Sequence, residues 1–146
     1  MPGIKYDRVY IPKQKEIRMN YEIVETKTAK IYVDEGIIHY RILPEAEVTI
    51  EDTKEYVAIH SKLVGDKKIP NLTDLRNLKS VTREARAYLS GKEAAALTFA
   101  CALIIGSPVS RVIGNFFLGL NKPAYPTRLF TSEEKAIEWV KGFIKR

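Results

Sequence analysis

Residues 97–120 constrain the fold more than any other stretch of the chain. Leu97 to Ile105 is a nearly unbroken apolar run with only Thr98 inside it. Gly106-Ser107-Pro108 breaks the run, and Val109, Val112, Ile113, Phe116, Phe117 and Leu120 then follow at helical spacing. A strand that is apolar on both faces must be covered on both faces. One that feeds an amphipathic helix belongs in a parallel sheet. Asn121-Lys122-Pro123 stops the helix, Thr127 to Phe130 reads as a further strand, and Thr131-Ser132-Glu133-Glu134 opens a last helix. Ala136, Ile137, Val140, Phe143 and Ile144 form the core face of that helix, with Trp139 on its border.

The elements upstream are punctuated in the same way. Tyr21 to Leu43 reads as a hairpin around Asp34-Glu35-Gly36, taken as a three-residue turn in which Gly36 supplies the left-handed position. On the returning strand Ile38, Tyr40 and Ile42 form the more apolar face, while His39 and Arg41 share the other, exposed one. Thr49 caps a helix that runs to Gly65, with Glu51 and Asp52 in its first turn. Lys68 to Leu75 is a third strand, Val81 to Leu89 a second helix, and Lys92 to Ala96 a short helical piece before the apolar run. Strands alternating with helices imply an α/β fold with right-handed crossovers. The sheet is mixed, with an antiparallel hairpin followed by parallel strands and about four covering helices. Phe99, Leu103, Ile105, Val112, Phe116, Ile137 and Val140 are expected in the core. Gly114 sits mid-helix, where it serves close packing against the sheet or another chain.

The chain has 146 residues, enough for a single domain with a full core. We divide it into residues 1–20, an arm or an extra edge strand around Arg8 to Ile11, and a domain over 21–146. The single Cys101 lies inside the apolar run and reads as a small buried hydrophobe rather than a reactive thiol. The N-terminal residues lack the apolar stretch of a signal peptide, and no run is long enough to span a membrane, so a cytoplasmic protein is expected.

Charge is uneven. Residues 1–75 hold 12 Lys and Arg against 13 Asp and Glu, whereas residues 76–146 hold 12 against 5. The excess is too scattered to mark a nucleic-acid binder. Its densest part is the segment from Arg76 to Arg86, where Arg76, Lys79, Arg83 and Arg86 surround a predicted helix start together with the hydroxyls of Ser80 and Thr82. A helix N-terminus with cations around it suits an anion or an acidic partner, and these six residues are the candidate site. No catalytic, metal or cofactor motif accompanies them. His60 falls on the apolar face of its helix and reads as a hydrogen-bonded structural residue. Gly106 to Ser110 looks like a phosphate turn but has no Walker lysine.

Asp74-Leu75-Arg76, Ser80 through Arg86, Ile113-Gly114-Asn115-Phe116-Phe117, Pro126 through Thr131 and Glu134 through Trp139 together resemble the STAS and SpoIIAA-like domains, from about residue 21 to the end. The similarity is greater to an uncharacterised bacterial branch of that class. The resemblance implies a non-enzymatic regulatory or protein-interaction module, like the anti-sigma-factor antagonists, with a protein partner. It also places Ser80 where the antagonists carry a phosphorylated Ser. Lys79 stands where they have Asp, and Val81 and Thr82 replace their small residues. Some relatives of the branch imply an alternative, a lipid-carrier-like protein with an apolar cavity under the Val81–Leu89 helix. A packed core there would favour the partner module, and an unfilled cavity the ligand binder. A homodimer is expected as well, because the hairpin leaves a sheet edge to be covered.

Overall fold

The computed structural model describes residues 4–5 and 22–144. The elements, in chain order, are β1 (Ile4–Lys5), β2 (Ile23–Glu25), β3 (Ala29–Asp34), β4 (Ile37–Ile42), β5 (Glu47–Val48), α1 (Ile50–Val64), β6 (Ile69–Asp74), β7 (Ser80–Val81), α2 (Arg83–Leu89), α3 (Lys92–Ala95), β8 (Thr98–Ile104), α4 (Pro108–Leu118), β9 (Thr127–Phe130) and α5 (Glu133–Lys141). Seven strands form one sheet in the order β1-β2-β3-β4-β6-β8-β9, and β5 and β7 pair separately in parallel. The hairpin and β1–β2 pairings are antiparallel, while β4–β6, β6–β8 and β8–β9 are parallel, as the alternation of strands and helices predicts.

The topology places the helices. Each parallel crossover steps the same way along the sheet, so α1, α2 and α4 stack on one face. There Ile31, Ile38, Tyr56, Ile59, Ala85, Leu103, Ile113 and Phe117 share one core. The C-terminal α5 covers the other face, where Ala136 and Val140 pack on Ile37, Leu72, Ala102 and Ile104. The apolar run therefore sits inside the sheet, between β6 and β9, with both faces covered, as its composition demands.

Three local features differ from the sequence expectation. The hairpin turn has two residues: Asp34 pairs with Ile37, and both Glu35 (φ 53) and Gly36 (φ 80) are left-handed. A two-residue turn of this hand matches the right-handed twist of the strands, which a longer loop need not do. His39 is buried and stacks on Tyr32 with ring centroids 4.6 Å apart, because β4 is an inner strand with α5 on its second side. Helix α4 is rotated by about one residue from the expected face. Ile113, Gly114 and Phe117 point inward, Phe116 is half-buried, and Val112 is 56% exposed. Gly114 accounts for the rotation: a Cβ there would come within 2.9 Å of Leu129 Cδ2 and 3.3 Å of Ile105 Cγ2. Only that stripe lets the helix approach the sheet so closely. Of the other expected core residues, Leu103, Ile105 and Val140 are buried, while Phe99 and Ile137 are partly so.

The hairpin edge that suggested a dimer is covered within the chain, since β3 pairs with β2 and β2 with β1. The strand expected at residues 8–11 lies outside the described residues.

Candidate functional site

The segment from Arg76 to Arg86 does not converge on one point. Ser80 lies in β7, paired with Glu47, and Thr82 is the residue that caps α2, accepting from the Ala85 amide at 3.2 Å. The helix thus starts at Arg83, two residues later than the sequence suggests, because Val81 is drawn into the short pairing with Val48. Arg76 turns toward the sheet and binds Asp74 at 2.8 Å and Glu133 at 3.3 Å. Lys79 pairs with Glu47 at 3.4 Å on the surface. Arg86 lies 4.1 Å over the Phe116 ring and donates to the Val81 carbonyl at 2.8 Å. Arg83 is exposed and makes no hydrogen bond or ion pair among the described residues. The Gly106–Ser110 turn is also satisfied from within. The Ser110 hydroxyl accepts from the amides of Gly106 at 2.9 Å and Ser107 at 2.8 Å, the donors a phosphate would need.

What the fold does assemble is a cavity of about 90 Å³ between the helices and the sheet. Its floor is the sheet face carrying Tyr40 of β4, Asn71 and Thr73 of β6, Cys101 and Leu103 of β8, and Thr127 of β9. Strand registers place these side by side: Tyr40 is opposite Thr73, Asn71 opposite Cys101, and Cys101 opposite Thr127. Its walls are Tyr56, Val57 and His60 of α1, Val81 and Leu89 around α2, Ala94 of α3, and Phe117 with Tyr125 on the α4 side. It therefore lies under the second helix, where an unfilled space distinguishes the ligand-binding alternative from the packed one.

The lining contains no Lys, Arg, Asp or Glu. Its titratable groups are held neutral at pH 7. Burial pushes the phenols of Tyr40, Tyr56 and Tyr125 up from their ordinary value, and pushes the Cys101 thiol up to about 12. Burial also lowers the pKa of His60, which outweighs the hydrogen bond its Nε2 donates to the Lys67 carbonyl at 2.8 Å. That bond gives His60 the structural role expected for it, on the cavity wall. Most polar lining groups are committed to the protein. Tyr56 shares a 2.5 Å hydrogen bond with Thr28, Tyr125 donates to the Leu89 carbonyl at 2.9 Å, and Thr73 donates to Asn71 Oδ1 at 2.7 Å.

On the α5 face, at the C-terminal ends of β4 and β6, Arg41, Asp74, Arg76 and Glu133 form a closed network of two cations and two carboxylates. Every charge there has an opposite partner, so the network is a clamp between α5 and the sheet. Among the described residues no group of His, Cys, Asp and Glu is arranged to hold a metal ion, and no helix is long and apolar enough to cross a membrane.

Sheet order and helix placement define a SpoIIAA-like fold. A crystal structure of an uncharacterised DUF3478-family protein with that fold, from Shewanella loihica PV-4, aligns with TM-score 0.50 and 16% identity over 82% of this chain and 91% of that one. Within the fold, the chain belongs to the family described as domain of unknown function DUF7793, whose model matches residues 31–144. A protein of unknown function from Arthrobacter sp. FB24 is 34% identical over 75% of this chain and 95% of that one, with TM-score 0.27. No functionally curated protein matches the sequence.

Proposed function

We propose that the protein is a non-catalytic binding module that takes a small, largely apolar molecule into the cavity between α2 and the sheet. The observation that carries this reading is the unfilled space itself. Protein interiors are close-packed, and an empty volume of this size forfeits the dispersion contacts its lining would otherwise make. Its neutral, mostly apolar lining suits an uncharged apolar guest. The neutral phenols, the protonated thiol and the engaged His60 supply no poised acid, base or nucleophile, which supports binding rather than chemistry. The regulatory role implied by the STAS resemblance enters through α2, which packs on α1 and α3 and forms one wall of the cavity. Filling the cavity changes how α2 sits and hence what the outer surface offers a partner. The test is a methyl-NMR titration with isobutane. Saturable shifts at Leu75, Val81, Leu89 and Leu103, absent in Ala94→Leu, are expected. No shift at these methyls would contradict the reading.

A second reading, a homodimeric interaction module, is favoured by one observation. Val109 and Val112 share a face of α4 and are 43% and 56% exposed, with Leu118 and Leu120 exposed beyond them. A second copy of the chain laid on this stripe would cover it.

A further inference from the structure

We infer that the cavity selects an uncharged molecule whose apolar body carries a hydrogen-bond acceptor, and that Tyr40 and Asn71 are the residues that read the acceptor. The inference rests on the cavity being a ligand site.

Two donors are left over once the protein's own hydrogen bonds are assigned. Asn71 Oδ1 already accepts from the Thr73 hydroxyl at 2.7 Å and from Cys101 Sγ at 3.5 Å. In that orientation Nδ2 is the end of the amide left for a ligand. Tyr40 is 7% exposed, and its hydroxyl has no hydrogen-bond partner among the described residues. Both residues stand on the cavity face of the sheet. Tyr40 is in register with Thr73, and Asn71 lies two residues before Thr73 on the same strand.

Asn71 is half-buried, and its Nδ2 and the Tyr40 hydroxyl open onto the cavity, where a ligand can reach them, rather than being sealed in the packed core. Two accessible donors over one mostly apolar space therefore mark where a ligand's carbonyl, ether or hydroxyl oxygen belongs. A carboxylate would also attract donors, but no cation lines the cavity to offset its desolvation. Size narrows the class further. The cavity's volume of about 90 Å³ is below the roughly 150 Å³ that accommodates benzene, so the bound part is smaller than a six-membered ring, on the order of four heavy atoms.

The test compares three probes by amide-NMR titration: acetone, isobutene (nearly the same shape without the acceptor) and acetate. On the wild type, the ketone should bind about tenfold more tightly than the alkene, the worth of one well-made hydrogen bond, and acetate should not bind. Tyr40→Phe should bring the ketone down to the alkene's affinity and leave the alkene unchanged; Asn71→Val should reduce the same ratio. Equal binding of ketone and alkene by the wild type would mean that water alone satisfies the donors. That overturns this inference while the apolar-ligand reading stands. Acetate binding as tightly as the ketone overturns the uncharged class. Binding of neither ketone nor alkene overturns both readings.

Discussion

Arg41 grips Glu133 through two parallel hydrogen bonds, Nη1 to Oε1 at 2.7 Å and Nη2 to Oε2 at 2.6 Å, with both side chains 13% exposed. Its Nε also donates to the Tyr32 hydroxyl at 3.1 Å, and its Nη1 reaches Asp74 at 3.3 Å. Residues 92 positions apart are thereby fixed, and the first turn of α5 is tied to the end of β4. Paired geometry of this kind is among the stronger side-chain interactions, and removing one partner strands the other charge. Arg41→Met is expected to cost about 3 kcal/mol in urea unfolding, and Arg41→Met with Glu133→Met together less than the sum of the two singles.

Asp74 gives the clamp a pH dependence. Burial alone would raise its carboxyl, but hydrogen bonds from the Arg76 side chain and backbone, with the charges of Arg76 and Arg41, hold it below the usual range. A carboxyl depressed in the folded state stabilises the protein above its unfolded pKa of about 3.9, and the contribution is lost as pH falls through the lower folded value. His60, lowered by burial, adds an earlier loss that starts as pH falls below about 6.5. Unfolding free energy measured from pH 7 to pH 2 should therefore decline in two stages. Asp74→Asn should be less stable than wild type at pH 7 and lack the lower stage.

The orientation of α4 can be read from two neighbouring aromatic residues. Phe117 is buried, and Phe116 is half-buried beneath Arg86. Phe117→Ala should cost about 3–5 kcal/mol and Phe116→Ala only about 1–2. Equal costs would mean that the helix is rotated from the face described.

Arg86 spans α2, β7 and the loop after α4, bonding the Val81 carbonyl and, at 3.4 Å, Asn121 Oδ1. Tyr125 pins the C-terminal residue of α2 through the Leu89 carbonyl. These are the main polar ties on the helix that roofs the cavity. Arg86→Ala should accelerate amide exchange at residues 83–89 several-fold and leave exchange in β6 and β8 unchanged.

The exposed stripe on α4 predicts self-association. Sedimentation equilibrium at micromolar concentration should give a dimer for the wild type and a monomer for Val112→Glu. A wild-type monomer would remove the second reading.

The frame of the fold was legible in the sequence because it depends on local signals. Thr49, Ser107 and Ser132 accept from their expected N3 amides, the apolar strand breaks at Gly106, and the run lies inside the sheet, although the helix after it ends at Leu118, short of the Asn121-Lys122-Pro123 stop. Two things were not legible. Helix α4 carries apolar residues around more than half of its circumference, so periodicity alone left two possible inner faces, and the approach at Gly114 chooses between them. The cavity draws its lining from six strands, four helices and three loops, each contributing one to three residues that look like ordinary core. The cations between Arg76 and Arg86 posed the converse problem. They are dense in sequence, but Arg76 serves the α5 clamp and Arg86 the α2 roof, and the acids and the ring that bind them lie on distant segments.

The central claim is that the space beneath α2 is a site that small apolar molecules occupy. A crystal pressurised with xenon tests it most directly, because xenon is uncharged, smaller than the cavity and visible in diffraction. The account predicts a xenon peak between Tyr40, Leu103 and Phe117 with little movement of the surrounding backbone. A structure in which these side chains close on one another, leaving no peak under the same pressure, would contradict it.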